Sequence, residues 1–440
     1  MSNPELLTRR LAVEIFDAVL RRDKGLEDEY AARIERRTQK EPMEVRDKTF
    51  VRLLVTVMLR RLGQIDDIIA RFLTKPLPEK ASFVFDILRI GTAQAVFLDT
   101  PAHAVVSTCV DLIKSDRDFN GFAALTNAVL RRVAREGKNI AAKQNAAKLN
   151  VPVWLYSCWE KEYGKDAARQ IAEAGLNEAP LDFTVKSDPA DWAERLQAFV
   201  MPTGTLRREK NASVPALPGF EEGAWWVQDF SAALPVRLFS GLNGKTVADI
   251  CAAPGGKTAQ LIAAGANVTA IDVSENRLSR LRENLDRLCF TAETIRADIR
   301  KWHSSANGEN RKFDAVLLDA PCSATGTLRR HPDVARHRTS ADVDRLTRAQ
   351  RELLRVAVDM AKDDAVIVYC VCSVLPEEGR LIVDEAVEAG LVERVPLTEK
   401  DVPVELISPD GDLRVLPFYY ADKGGCDGFF AARLQKKRLK

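Results

Sequence analysis

The chain has 440 residues, of which 46% are hydrophobic and 29% charged, and its formal net charge is +2. That balance belongs to an ordinary folded globular protein and excludes disordered, collagen-like and small disulfide-framework classes, while the near-neutral charge supplies no overall field to recruit a polyanion. At roughly 150 residues per domain the length suggests about three domains. No apolar run reaches the roughly 18 residues of a membrane span, and the start, Met1 to Glu5, lacks the cationic patch and apolar core of a leader. Eight Cys without regular spacing and only four His point to reduced thiols, not to bridges or a zinc site. A cytoplasmic protein without membrane association or metal is expected.

Residues 1–140 read as helix throughout. Leu7, Leu11, Ile15 and Ala18 share one face, as do Phe50, Leu54, Val57 and Met58, then Val106, Cys109, Val110 and Ile113, then Phe122, Leu125, Val129 and Val133. Pro76, Pro78 and Pro101 mark breaks. Arg9-Arg10, Arg21-Arg22, Arg36-Arg37, Arg60-Arg61 and Arg131-Arg132 lie on other faces. Each pair alone is an ordinary solvated face, and together they allow an RNA-facing surface. The Ala-, Lys- and Asn-rich stretch 137–150 reads as a linker. Residues 141–235 combine it with a small α/β module containing a Trp/Tyr-bearing helix (Trp154, Trp159, Tyr163) and a strand at 181–185.

From residue 236 to 440 the pattern becomes strand, turn, helix, repeated. Residues 247–250, 268–272, 294–297, 315–318 and 365–369 are short apolar runs, with a helix from Thr258 and a charged helix over 277–288. Strands alternating with amphipathic helices predict a parallel, doubly wound sheet.

The turn after the first run is Cys251-Ala252-Ala253-Pro254-Gly255-Gly256-Lys257-Thr258. A P-loop needs Gly five positions before the Gly-Lys pair, and Cys251 stands there, so the NTPase reading fails. What remains is a small-residue turn that brings a ligand up to backbone N–H groups at a helix N-terminus. Asp272, Asp298 and Asp319 each close a strand. One acid at such a place is most often a helix cap. Three beside small-residue turns suit a nucleoside-bearing ligand without phosphates, such as S-adenosylmethionine. Cys322 follows the fourth strand in Asp319-Ala320-Pro321-Cys322-Ser323, and Cys372 follows the fifth in Cys370-Val371-Cys372-Ser373. Strand carboxyl ends face the crevice of such folds, so both thiols would line it. A thiol beside a methyl donor suits cytosine, whose C5 is too weak a nucleophile until a thiolate adds at C6.

With these motifs the chain resembles the RNA 5-methylcytosine methyltransferases, and among them the RsmB (Fmu/Sun) 16S rRNA family. The residues carrying the resemblance are the turn at 251–258, Asp319 to Ser323, Cys372-Ser373 with Pro376-Glu377-Glu378, and Asp427-Gly428-Phe429-Phe430. In residues 1–140, Arg46-Asp47-Lys48, Thr100 to Ala104 and Asn127 to Arg132 resemble a NusB-type RNA-binding bundle. The resemblance implies three parts: a NusB-like all-α domain at 1–140, a linker and small α/β module at 141–235, and a Rossmann-like S-adenosylmethionine-dependent methyltransferase at 236–440. It further implies a monomer acting on 16S rRNA, naked or in an early small-subunit intermediate. Cys372 would be the nucleophile and Cys322 the thiol that releases product. Cys251, Ala252, Ala253, Pro254, Gly255, Gly256, Lys257, Asp272, Asp298 and Asp319 would bind S-adenosylmethionine, with Asp319 also near the base edge. Three positions depart from the family pattern: Ala324 replaces the usual Gly, Val371 the usual Thr, and Gly379 a common Asn. Rival readings are a tRNA cytosine-C5 methyltransferase, a protein methyltransferase, and a non-catalytic NusB-like RNA-binding or assembly factor. Protein methylation needs no thiol adduct, and two crevice thiols disfavour a non-catalytic scaffold.

Overall fold

The computed structural model describes residues 4–209, 213–305, 308 and 311–437; Met1, Ser2 and Asn3, read above for a leader, lie outside them. Its contacts separate two units, residues 1–177 with 328–337, and residues 178–327 with 338–440. None of the described helices is long and apolar enough to cross a membrane.

The first unit is helical. Pro4–Arg22, Leu26–Lys40, Val45–Arg60, Leu62–Ala70, Ser82–Thr92, Ala102–Lys114 and Ala123–Ala141 pack their apolar stripes into one core. Ile15, Leu54, Met58, Cys109 and Val133 are fully buried there, because the 3.6-residue period places them on inward faces. The prolines at 76, 78 and 101 fall between helices, where a missing N–H and fixed φ do least harm. The stretch expected as a linker is instead helical: Ala123–Ala141 runs through Gly137, and Ala146–Asn150 forms another short helix. Gly137 is buried, and a Cβ there would lie 2.7 Å from Cγ2 of Val96. It permits a close helix approach and does not end a helix.

The first unit also extends beyond the expected boundary at 140. The Trp-bearing helix Val153–Ala174 belongs to it. So does the segment 328–337, which sequence pattern placed inside the methyltransferase domain. Its Arg336 donates to the carbonyls of Leu59 (3.0 Å) and Asn150 (2.7 Å), and its Asp333 carboxylate accepts from the N–H of Leu26 (3.1 Å). These bonds satisfy helix-end groups of the bundle that have no intrahelical partner. The arginine pairs differ among themselves. Arg9 and Arg60 are buried, Arg21 bonds Asp17 and Asp86, and Arg37 bonds Glu41. Arg36, Arg131 and Arg132 are exposed.

The second unit contains two sheets. In the smaller, β1 (Leu181–Val185), β2 (Phe199–Val200), β3 (Leu206–Arg208) and β4 (Trp225–Val227) run antiparallel in the order β2-β3-β1-β4. Arg207, fully buried, pairs with Asp182 at 2.7 Å and donates to the carbonyls of Lys423 and Gly425. That contact fastens the small sheet to the chain's C-terminal loop, so residues 178–235 form one unit with the methyltransferase sheet.

The larger sheet comprises β5 (Thr246–Ile250), β6 (Asn267–Asp272), β7 (Glu293–Arg296), β8 (Phe313–Asp319), β9 (Ala361–Val371), β10 (Val392–Arg394), β11 (Leu413–Val415) and β12 (Phe429–Lys436). The order is β10-β12-β9-β8-β5-β6-β7, with β11 on β12. Strands β5 to β9 pair in parallel, and β12 returns antiparallel. Ala248, Ile250, Val316, Leu318 and Ile367 face one core, while Val247, Ala315, Leu317 and Val368 face the other. Strands covered on both faces are nearly continuous apolar runs, which is why these were legible. The order reverses at β5, between β8 and β6. The loops after β5 and β8 therefore leave the sheet in opposite directions and open a crevice at their carboxyl ends.

Candidate active site

The turn after β5 feeds the helix Gly256–Ala263. Gly255 takes φ +101°, and a Cβ there would press to 2.9 Å of the Leu281 side chain, so this position demands glycine. Asp272, at the end of β6, is 2% exposed. Its carboxylate accepts from the N–H groups of Ala253 (3.2 Å) and Ser274 (3.0 Å), and Arg277 lies 3.3 Å away. Thus the second strand's acid holds the turn of the first, while Val273 beside it is 64% exposed.

Asp249 lies inside β5 and is fully buried. One oxygen accepts from Thr258 Oγ1 at 2.6 Å, and the other has no partner among the described residues. Burial pushes its pKa up to about 7. Burial likewise pushes the thiol of Cys251, on the same turn, up to about 12. An orphaned buried acceptor, a buried acid and the helix N-terminus at Gly256 together fit a ligand carrying hydroxyl and amino donors with a carboxylate, as S-adenosylmethionine does.

Asp298 has different surroundings. It stands two residues beyond β7, caps Ile299–His303 by accepting from the N–H of Arg300 (3.2 Å), and pairs with the Arg300 guanidinium at 2.8 Å. These bonds hold its carboxyl below the usual range. It fills the helix-cap role open to any acid at a strand end.

Lys257 points along the crevice toward the thiols. Its Nζ lies 2.8 Å from Asp319 Oδ2, and the Phe429 ring centroid is 5.2 Å away. Burial opposes the ammonium, but Asp319, Cys370 and Cys372 more than offset it and raise its pKa. Asp319 ends β8, and its other oxygen is 3.5 Å from Cys370 Sγ. Cys322 and Cys372, fifty residues apart in sequence, bring their sulfurs within 3.5 Å. Cys322 is held well above its ordinary pKa, first by its hydrogen bond to Cys372, then by burial and the nearby charges of Cys372 and Glu378.

The departures from the family pattern have local accounts. Ala324 adopts φ +58°, a left-handed conformation that glycine takes without a Cβ penalty. Val371 is fully buried opposite Phe430, in apolar surroundings where a hydroxyl would need a partner. At Gly379 a Cβ would lie 2.8 Å from the Phe430 ring. Sequence reasoning gave no role to Asp249, Ser323, Ser373 or Glu378. Asp249 carried a signal nonetheless, an acid within an otherwise apolar strand.

Two family models match the chain: the 16S rRNA methyltransferase RsmB/F family over residues 237–435 and the NusB family over residues 7–135. The ribosomal RNA small subunit methyltransferase B of Vibrio cholerae is 34% identical over 394 residues, covering 86% of this chain and 89% of its own. The corresponding protein of Pasteurella multocida is 31% identical, covering 98% and 96%. Among solved structures, the crystal structure of PH0851 superposes with a TM-score of 0.77 at 20% identity over 99% of each chain, a likeness of fold.

Proposed function

The chain belongs to the RsmB/F family of 16S rRNA methyltransferases, and from that premise we propose that it methylates C5 of a cytosine in 16S rRNA through a covalent bond between Cys372 and C6. The observation that carries the reading is the 3.5 Å approach of Cys322 and Cys372 beside the Lys257–Asp319 pair. An inert structural role does not need two thiols from different strand ends in one polar crevice.

The Cys372 thiolate adds to C6, and the C5=C6 electron pair moves to C5, which becomes nucleophilic. When bound, S-adenosylmethionine supplies an electrophilic methyl group beside C5. The turn 251–257 and Asp272 hold that cofactor, with Asp298 at the crevice edge where Arg300 already engages it. Asp319, fixed by Lys257, accepts from the base's exocyclic amine. Cys322 changes character as the reaction proceeds. Once the Cys372 sulfur is bonded to C6 it no longer carries charge, so its hydrogen bond and its charge no longer hold the proton on Cys322, and only burial and Glu378 still do. Cys322 can then give its proton to solvent and, as thiolate, take the remaining proton from C5, so the electron pair returns to the ring and expels Cys372.

The NusB-like bundle captures the RNA, with exposed Arg36, Arg131 and Arg132 meeting phosphates. Bisulfite sequencing of RNA from cells with and without the gene tests the reading. A 16S cytosine protected only when the gene is present supports it. Protection confined to tRNA, or none anywhere in the RNA, overturns it.

A further inference from the structure

Next to the two cysteines lies a polar cluster that the reaction above does not use. Ser323, Thr325, Gln350, Ser373 and Glu378 are each at most 1% exposed. One oxygen of the Glu378 carboxylate accepts from the N–H of Ser323 (2.7 Å) and from Gln350 Nε2 (3.3 Å); the other accepts from Ser323 Oγ (2.5 Å). Gln350 also donates to the Pro321 carbonyl at 2.9 Å. The Ser373 hydroxyl lies 3.0 Å from Thr325 Oγ1 and 3.4 Å from Ser323 Oγ. The two loops meet directly as well, where the N–H of Gly326 donates to the Cys372 carbonyl at 3.1 Å.

A carboxylate at this depth is costly. Burial raises the pKa of Glu378, and the donors from Ser323, Ser373 and Gln350 only partly counter it. Architecture alone would be served as well by apolar packing, since replacing buried ionic groups by hydrophobic ones is often neutral or stabilising. What apolar packing cannot supply is directional hold on two separate backbones. Ser323 directly follows Cys322, and Ser373 directly follows Cys372.

We infer that Glu378 is a positioning residue: it clamps the backbone after Cys322 and, through the serine and threonine hydroxyls, the backbone after Cys372, and so sets the distance between the two sulfurs. The inference rests on the cysteine roles proposed above, but the distance can be read without the reaction. Diamide oxidises two adjacent thiols to a disulfide: both sulfurs lose hydrogen, the S–S bond forms, and the diazene takes up the two hydrogens as a hydrazine.

The test uses the full chain and its Glu378→Gln variant, whose amide keeps the shape but replaces one acceptor oxygen by an NH2 donor. In the parent protein, peptide mapping after diamide is expected to find Cys322 joined to Cys372. In Glu378→Gln that bond should form at least about tenfold more slowly. Single-turnover methyl transfer should drop by about 10²-fold, the scale of a 1 Å misplacement, while the KM for S-adenosylmethionine stays unchanged. Ser373→Ala, a milder lesion that also serves should the glutamine variant not fold, should move both rates the same way by less. Parent-like disulfide kinetics in folded Glu378→Gln and Ser373→Ala overturn the inference, whatever methylation does. A parent protein that forms the disulfide but methylates no cytosine refutes the proposed reaction instead, and the clamp is then judged on disulfide kinetics alone.

Discussion

Replacing Asp272 tests the cofactor half of the site. A carboxylate offers about four acceptor positions, and in Asp272 three are engaged, by the N–H of Ala253, the N–H of Ser274 and the Arg277 guanidinium. One remains for a ribose hydroxyl. A single hydrogen bond to a charged group contributes about 1.5–3 kcal/mol, so Asp272→Ala should weaken S-adenosylmethionine binding roughly 10–150-fold. The alanine also strips the acceptor from Ala253 N–H, which loosens the turn and pushes the loss toward the upper figure. Asp272→Asn keeps one oxygen and should lie near the lower figure. Titration calorimetry on both variants, with melting temperatures to confirm folding, reads the difference directly. Unchanged affinity in a folded Asp272→Ala would refute the assignment of the ribose to β6 and, with it, the orientation of the cofactor in the crevice.

Asp249 should make stability fall with rising pH. Its folded pKa of about 7 lies above the ordinary 3.8, so between those values the folded chain holds a proton that the unfolded chain has released, and ionisation disfavours the fold. The span of roughly three units corresponds to at most about 4 kcal/mol; Asp249→Asn should flatten the melting temperature between pH 5 and 8, and an unchanged slope would contradict the assignment. If the helical unit captures RNA through phosphate contacts, Arg36→Glu and Arg131→Glu should each lower affinity for 16S rRNA fragments and reduce the slope of log K against log salt by about 1. Filter binding across a salt series checks this, and slopes equal to the parent's would remove these side chains from the RNA surface.

The parallel sheet was legible because the central residues of β5, β6, β8 and β9 are covered on both faces and are nearly all apolar. The crevice was legible because chemistry placed Cys and Asp where strands end. Other features depended on three-dimensional packing. Gly137 opens the stretch that reads as a linker, yet it lies where helices crowd. The segment 328–337 follows the Cys322 loop in sequence but bonds to the bundle through Asp333 and Arg336. Asp298 follows a strand as Asp272 and Asp319 do, but its carboxylate caps the next helix and pairs with Arg300. Glu378 stood inside a legible motif, but its partner Ser323 is fifty-five residues away, and no local pattern encodes that bond.

The central claim is that Cys372 bonds to the base and Cys322 lets it go. Incubating Cys322→Ala with 16S rRNA fragment and S-adenosylmethionine, then running denaturing electrophoresis, tests it most directly. The account predicts a denaturation-resistant protein–RNA band that requires the cofactor and vanishes in the Cys322→Ala, Cys372→Ala double variant. A band formed by Cys372→Ala but not by Cys322→Ala would reverse the roles, and full methylation by both variants without any band would contradict the covalent route altogether.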